Sequence, residues 1–399
     1  MWNAYITDTI TGDVISHIDL PSFAWSITVS DASLATLKQK GTGSDTVSGV
    51  RLPWSSLDAA TPAARDELLT PDRRAITLCH RTSMDDMGMP ILWGAIGQRT
   101  DTHNDTGFTL SSVMTLLQDR YLIREGVYGT APHGTSTDAI TINGSLRGIA
   151  AQIGWLCTNA KPGGQLPIDW HYRGEQGKHT RTYDSWDVQN LQCATLLTNI
   201  SNVENGPDMG FRPRWDGDRV RIDYVAGSDD DIRIGQTIVH RLTWSPWGGT
   251  VDDLTIDHLG AVHRIYASGS GTDKNQLCHL SQDLHLIDSR DAPYPLREAV
   301  YSDSDTDKLD LLISHADGYL QANARPLMQI KCAITTMSTT AGEPISPLGT
   351  IWPGDLVELS INGHAALPDG LYECRLMEMS GDQTEKITLV FDPQPNTII

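Results

Sequence analysis

The segment that decides the fold runs from Pro326 to Pro393 and contains four β-rich runs: Leu327–Thr335 (LMQIKCAIT), Leu356–Ile361 (LVELSI), Gly370–Ser380 (GLYECRLMEMS) and Glu385–Phe391 (EKITLVF). Apolar, β-branched and aromatic residues fill these runs, and Pro-Gly-Asp, Asn-Gly and Ser-Gly-Asp sequences separate them. Such short sequences are typical of tight turns between strands. The pattern therefore predicts a compact β-barrel at this end of the chain.

The beginning of the chain has the same character. Short apolar or β-branched runs alternate with Gly, Pro, Asp and Thr, which predicts the strands of a small antiparallel barrel or sandwich. Between these strands, residues 53–69 read as a loop with a helical turn. The predicted strands are Asn3–Ile6, Gly12–Ile18, Ala24–Val29, Ala75–His80 and Ile91–Gly97.

Helix signals appear in the middle of the chain. Ser145 and Ser185 each precede apolar residues at helical spacing, and Pro-Gly or Gly-Pro sequences follow, at 162–163 and 206–207. This pattern predicts two helices with a serine at each N-terminus. Their apolar faces are Leu146, Ile149, Ala150, Ile153 and Cys157 in the first, and Val188, Leu191, Thr195 and Leu196 in the second.

A third helix is predicted over Asp307–Asn323, with Asp303 and Asp305 before it, at the positive end of the helix dipole. Further strands are predicted on either side of a hairpin turn at Trp215–Asp218, at Val239–Trp244 and over Leu254–Ser268.

The composition excludes several classes of function. The 399 residues carry 30 Lys and Arg against 50 Asp and Glu, a formal charge of -20, which would repel a phosphate backbone. No secretory signal and no apolar run long enough to cross a bilayer is visible, so we expect a soluble protein made in the cytoplasm. The six cysteines form no CxxC pair, and we expect buried free thiols.

No motif for catalysis or for a metal is complete. His258 and His263 lack an HExxH arrangement, and the Asp303–Asp307 segment lacks the glycine and the final glutamate of a calcium loop. Asp229–Asp231 is interpreted as a solvated surface run, and Gly269–Gly271 as a turn. We therefore expect no catalytic, cofactor-binding or metal-binding residues and no cofactor.

The order of four passages gives the chain a family resemblance. It resembles the tail hub or minor tail proteins of long-tailed (siphovirus-type) bacteriophages, especially those of actinobacteria, which are similar to the baseplate hub of contractile-tailed phages. Met209 stands where that family usually has an aromatic residue. The passages are the strand pair Ala75–Gly97, which contains Ile91–Ile96, followed by Asp119–Leu122; Asn205–Trp215; Asp317–Pro326; and Gly349–Val357 with Tyr372–Asp382 and Ile387–Phe391.

The resemblance implies a mainly β fold with α/β insertions, in which two tail-tube-like β-barrels are joined by two smaller subdomains, one inserted within another. The predicted units are a first β-barrel at 1–120, an α/β subdomain at 121–235, a second barrel portion at 236–295, a helix returning to the α/β subdomain at 296–325, and a C-terminal β-barrel at 326–399.

The resemblance also implies a function. A homotrimeric ring would join a sixfold tail tube to a threefold tip, and its partners would be the distal tail protein, the C-terminus of the tape-measure protein and other minor tail or receptor-binding proteins. DNA would only pass through the channel. Because the chain stops after the last predicted barrel, we expect host recognition and wall cleavage to lie on other tail proteins.

Two alternatives stay open at this stage. An all-β chain with 11 Trp and many acids could be a polysaccharide-degrading enzyme, or a receptor- or carbohydrate-binding minor tail protein. The enzyme predicts a deep pocket with converging carboxylates, whereas the hub predicts large apolar patches on the single chain and no such pocket.

Overall fold

The computed structural model is mainly β and describes most of the chain. Asp305, Arg325 and Pro326, which belong to the predicted helix start and to the Asp317–Pro326 passage, lie outside the described part. The described residues are 1–29, 46–81, 83, 86–130, 134, 136–235, 239–304, 306–324, 327–336, 339–340, 343–344 and 348–393.

Strands make up most of the regular structure. Those before residue 230 are β1 Trp2–Asp8, β2 Val14–Ile18, β3 Ser22–Thr28, β4 Thr46–Pro53, β5 Arg74–His80, β6 Met89–Asp101, β7 Asp105–Ser111, β8 Ala139–Gly144, β9 Ile168–Asp169, β10 His179–Asp184, β11 Met209–Asp216 and β12 Arg219–Ala226. Those after it are β13 Val239–Trp244, β14 Asp252–Leu259, β15 Arg264–Ser268, β16 Cys278–Gln282, β17 Glu298–Ser302, β18 Leu327–Thr335, β19 Thr339–Thr340, β20 Glu343–Pro344, β21 Leu356–Ile361, β22 Gly370–Asp382 and β23 Lys386–Pro393.

Helices are shorter and lie mostly in the middle of the chain. The α-helices are α1 Pro62–Leu68, α2 Val113–Gln118, α3 Leu146–Cys157, α4 Cys193–Ser201 and α5 Leu309–Asn323. Short 3-10 helices cover Trp54–Ser56, Ser185–Asn190 and Asp273–Asn275.

One large sheet joins the beginning and the end of the chain. Its strand order is β14-β18-β23-β22-β3-β4-β7-β6-β5-β1-β2, with β21 paired to β22 and β13 paired to β21. Strand β22 makes the connection, because Gly370–Arg375 pairs with β21 and Glu378–Asp382 pairs with β3. A single hydrophobic core lies along this sheet, and it includes Ile6 and Ile76 from one half and Leu359 and Phe391 from the other.

A second layer contains α2, α3, α4 and the small sheets β10-β8 and β11-β12-β9. Its core also includes Ala75 and Trp93, so it packs against strands β5 and β6 of the large sheet. The junction contains a buried ion pair between Arg375 of β22 and Asp208, just before β11. Burying such a pair is favourable only with good geometry, and Asp208 also accepts the backbone N–H of Ile234 at 3.2 Å.

A third unit consists of the sheet β16-β15-β17 and α5. Leu312 and Ala316 of the helix pack against Ala267, and Leu320 packs against Ile265. The helix also meets the second layer, because Ser314 Oγ accepts the backbone N–H of Glu204 at 3.3 Å.

The fold class is confirmed as mainly β with several sheets and α/β parts. The number of barrels, the insertion of one subdomain in another and the predicted boundaries stay predictions. The described part of the predicted unit 236–295 is divided between two sheets, since β13 and β14 pair with β21 and β18, whereas β15 and β16 belong to the third unit.

The predicted start of the helix after Ser185 is wrong. A 3-10 helix covers Ser185–Asn190, and α4 begins only at Cys193. The break follows from pairing with another segment: the N–H of Leu122 donates to the carbonyl of Leu191 at 2.9 Å, and the N–H of Cys193 donates to the carbonyl of Arg120 at 2.7 Å. These bonds use backbone groups that a continuous helix would need internally.

Candidate functional site

The cysteines differ from the prediction at one position. Cys79, Cys157, Cys193, Cys332 and Cys374 are buried free thiols, as predicted, but Cys278 is exposed. It lies on β16, where residues 278, 280 and 282 point away from α5 because side chains alternate along a strand. The prediction that all six thiols are buried is therefore wrong for Cys278.

The two candidate histidines lie in different surroundings. His258 is exposed on β14, whereas His263 is buried and its Nδ1 accepts the backbone N–H of Arg297 at 3.2 Å. No group of three or more His, Cys, Asp or Glu residues arranged to hold a metal is found in the part of the chain that the structure describes. Within that part, no helix has both the length and the apolar character needed to cross a membrane.

The candidate aspartates bond to their own chain. Asp303 Oδ2 accepts from Thr306 Oγ1 at 2.8 Å and lies 2.7 Å from Nδ1 of the buried His315, so it fixes the start of α5. Asp229 Oδ1 accepts the backbone N–H of Leu146 at 3.0 Å and thus caps α3 together with Ser145. Asp229, Asp230 and Asp231 are all exposed, as predicted, and the helix-capping contact of Asp229 is an addition to that prediction. Gly269–Gly271 lies in the loop between β15 and β16.

An uncovered apolar row crosses the third unit. Tyr266 on β15 is directly opposite both Leu280 on β16 and Val300 on β17, and their exposed fractions are 45%, 45% and 71%. The opposite face of the same sheet packs on α5. Leu296 and Tyr294, which precede β17 in the chain, are also exposed. Exposed apolar groups that lie together are typical of protein contact surfaces.

A pocket of about 450 Å³ lies between the end of α3 and the sheet β11-β12-β9. Its polar residues are three arginines, an aspartate, a histidine and an asparagine, and its aromatic residues are two tryptophans. We call it the arginine pocket. It is lined by Trp155, Asn159, Ile168, Asp169, Trp170, His171, Arg173, Arg214 and Arg221.

The carboxylate in this pocket is neutralised. Asp169 Oδ2 accepts from Arg214 Nη2 at 2.7 Å, and Asp169 Oδ1 accepts from Arg221 Nη2. Burial raises the pKa of Asp169, but the arginines outweigh it and the pKa is lowered overall. A general acid for glycoside cleavage needs a raised pKa, so Asp169 does not suit that function.

These arginines were not among the residues predicted to form a site. The available signal was the alternation of Arg219, Arg221 and Asp223 with the buried Val220, Ile222 and Tyr224 along β12, which puts the charged residues on one face. Asp169 and Arg173 come from other parts of the chain, and only the fold brings them to that face.

Several solved structures are similar to this chain over nearly its whole length. A tail protein from Neisseria meningitidis has 11% identity and a TM-score of 0.46, covering 100% of this chain and 98% of that one. A 43 kDa prophage tail protein from Shewanella oneidensis has 7% identity and a TM-score of 0.48, covering 98% of each chain. A prophage tail protein from Listeria monocytogenes has 10% identity and a TM-score of 0.43, covering 99% and 95%.

No protein-family model and no curated protein sequence matches the chain. Phage tail and baseplate proteins, the class that the sequence resembles, are among the similar structures, together with a component of a type VI secretion system and a Francisella PdpA-VgrG complex. With TM-scores below 0.5, they carry no residue roles over to this chain.

Proposed function

We propose that this chain is a structural subunit of the tail tip of a long-tailed bacteriophage, where three copies form a hub ring. The ring adapts a sixfold tail tube to a threefold tip and surrounds the channel for the tape-measure protein and DNA. The chain works by assembling and not by catalysis. It is assembled in the host cytoplasm, belongs to the virion tail tip and has no stable association with a membrane.

The observation that carries this proposal is a similarity between the two halves of the large sheet. Each half is built around a strand of 13 residues, β6 in one and β22 in the other. Both strands contain a bulge, where the register shifts between Ile96 and Arg99 against β7 and between Leu376 and Glu378 against β23. Bulges of this kind bend strands and are frequent at barrel rims.

The two β-barrels predicted for each chain would give the ring its geometry. Three copies would present six similar units to the tube above and three identical faces to the tip below, which solves the mismatch of symmetry. In the predicted division, 1–120 is the first β-barrel, 236–295 is a portion of the second, and 326–399 is the C-terminal β-barrel.

The exposed apolar row at Tyr266, Leu280 and Val300 also supports an assembling function. When another protein covers such a row, its apolar side chains lose contact with water, which favours association. The candidate partners are a second copy of the chain, the distal tail protein, the tape-measure C-terminus, and minor tail or receptor-binding proteins. The charge of -20 suits a channel wall along which DNA slides without binding.

The oligomeric state tests this proposal. Light scattering coupled to size exclusion would be run on the full chain, alone and mixed with the distal tail protein of the same phage. We expect a particle with three copies of the chain in at least the mixture. A monomer in both samples, combined with hydrolysis of a polysaccharide, would favour the enzyme and end the hub proposal.

A second candidate function, binding of a cell-surface glycan, has one observation in its favour. Trp247, in the loop between β13 and β14, is 87% exposed, and Trp186 is 66% exposed. Aromatic rings with free faces can stack on sugar rings. A glycan array would test it: binding that is lost in Trp247→Ala supports this function, and no binding to any glycan removes it.

A further inference from the structure

The arginine pocket contains more positive charge than its own carboxylates neutralise. Arg173, Arg214 and Arg221 line the pocket together with Asp169, and Asp223 beside it bonds to Arg214 Nε at 3.1 Å and to His171 Nε2 at 2.9 Å. Three guanidinium groups against two carboxylates leave an excess of one positive charge. This excess is notable in a chain whose formal charge is -20.

The pairing along the sheet brings like charges together. Arg214 of β11 is directly opposite Arg221 of β12, and Asp223 of β12 is directly opposite Asp169 of β9. Like charges in such positions destabilise a sheet unless opposite charges lie between them. Asp169 bonds to both arginines, so it holds the two guanidinium groups side by side at the pocket wall.

Arg214 and Arg221 each have a donor group that is not used in hydrogen bonds to the aspartates. Arg214 uses Nε and Nη2, and Arg221 uses Nε and Nη2, in bonds to the aspartates. Among the described residues, the Nη1 group of neither arginine has a hydrogen-bond acceptor in the protein. A guanidinium group presents five N–H donors in a planar fork, so two donor groups stay available.

Arg173 completes the pocket from another direction. Its guanidinium lies 3.7 Å from the centre of the Trp155 ring, and its Nε donates to Gln152 Oε1 at 3.3 Å. No carboxylate of the described residues lies within ion-pair distance of it, and burial alone lowers its pKa. Stacking on Trp155 fixes the orientation of the group without neutralising its charge.

We propose that the arginine pocket binds an oxyanion, a carboxylate or a phosphate group, through Arg173, Arg214 and Arg221. Planar guanidinium groups suit both anions, because each offers paired donors to paired oxygens. The volume of about 450 Å³ exceeds the space of a single ion, so the ligand has room for a further group of several atoms. This site is independent of the hub proposal and is distinct from the apolar row.

The test is calorimetric titration of the full chain with inorganic phosphate, with succinate and, as a neutral probe, with N-acetylglucosamine. We expect saturable binding of phosphate, succinate or both, weaker at higher salt, and none of the neutral sugar. Binding of one anion alone identifies the source of the charge, phosphate or carboxylate. Absence of saturable binding of both anions would overturn the proposal.

Variants assign the binding to this pocket. We expect Arg173→Gln to weaken binding about tenfold, because it removes charge-assisted hydrogen bonds, and Arg173→Lys to weaken it less. Arg173 is exposed, so both variants should fold, which thermal unfolding checks. The matched control is Arg290→Gln, an exposed arginine outside the pocket. Equal affinity in Arg173→Gln and Arg290→Gln would contradict the assignment.

Discussion

Gly154 shows how one residue fixes the contact between a helix and its neighbour. It lies inside α3, where glycine costs about 1 kcal/mol relative to alanine. A Cβ at this position would lie 2.1 Å from the ring of Trp170. That ring is buried and donates from Nε1 to Thr158 Oγ1 at 3.0 Å, so it has a bond to lose if it moves.

We predict that Gly154→Ala destabilises the protein although it improves helix propensity. The added methyl group must displace Trp170, and overpacking of this kind costs about 1–3 kcal/mol. Chemical denaturation measures the change in the free energy of unfolding. Gly126→Ala is the control, since a Cβ there meets nothing within 4 Å. A Gly154→Ala protein as stable as the control would show that the packing around Trp170 is loose.

Glu385 is the second residue whose surroundings give a measurable effect. Burial raises its pKa, but hydrogen bonds from His80, the Met1 ammonium and Thr336 outweigh burial and lower the pKa to about 2. These contacts tie β1 and β5 to the turn between β22 and β23, and the His80 bond is 2.7 Å long.

Because the pKa of Glu385 in the folded state lies below its ordinary value, the stability of the protein should fall as the pH falls. The contribution of Glu385 to stability is complete above about pH 4.5 and is lost as the pH falls towards about 2. We predict that Glu385→Gln lowers the free energy of unfolding by about 1–3 kcal/mol at pH 7. Unfolding curves recorded from pH 7 to 2 should converge with those of the native sequence at the acid end. If the free energies of unfolding of the variant and of the native sequence differed by the same amount at every pH, the ionic role of Glu385 would be contradicted. The control is Glu67→Gln, at an exposed glutamate.

At the scale of elements, the sheet β16-β15-β17 presents one face to α5 and leaves the other uncovered. Cys278 belongs to the uncovered face, two residues before Leu280, whereas the other five cysteines are buried. The face therefore has a natural site for a chemical probe. Reaction of a thiol requires access to the sulfur, so labelling measures coverage.

We predict that a maleimide labels Cys278 readily in the free chain and at least about tenfold more slowly in intact tails. Mass spectrometry of the labelled peptide gives both rates, and Cys278→Ser shows the background from the buried thiols. Equal rates in the free chain and in the tail would mean that assembly leaves this face uncovered.

The sequence predicted correctly those helix ends and turns that are held by hydrogen bonds between residues close together in the chain. Ser145 caps α3 as expected, its Oγ accepting the N–H of Gly148 at 3.1 Å, and the turn at Gly217 joins β11 to β12. The break before α4 could not be predicted, because it depends on bonds to residues 120–122. In the same way, the residues of β14 and β15 give no indication that the two strands belong to different sheets.

At the scale of the whole molecule, the sequence predicted a mainly β chain with α/β parts but not the path of its largest sheet. That path depends on the pairing of β22 with β3, two strands from opposite ends of the chain. The arginine pocket is non-local as well: Arg173, Asp169 and Arg214 converge only when β9 pairs with β12. No motif within a short stretch of sequence indicates either arrangement, since both arise from strand pairing at long range.

The central claim is that three copies of this chain form a closed ring at the tail tip. Cryo-electron microscopy of the intact tail measures it, with the chain fitted into the density at the tip. We expect three copies in a closed ring directly below the sixfold tube, each contributing two barrel-like units around the channel. Density that places the chain on the periphery, or in a ring with six copies, would contradict the proposal.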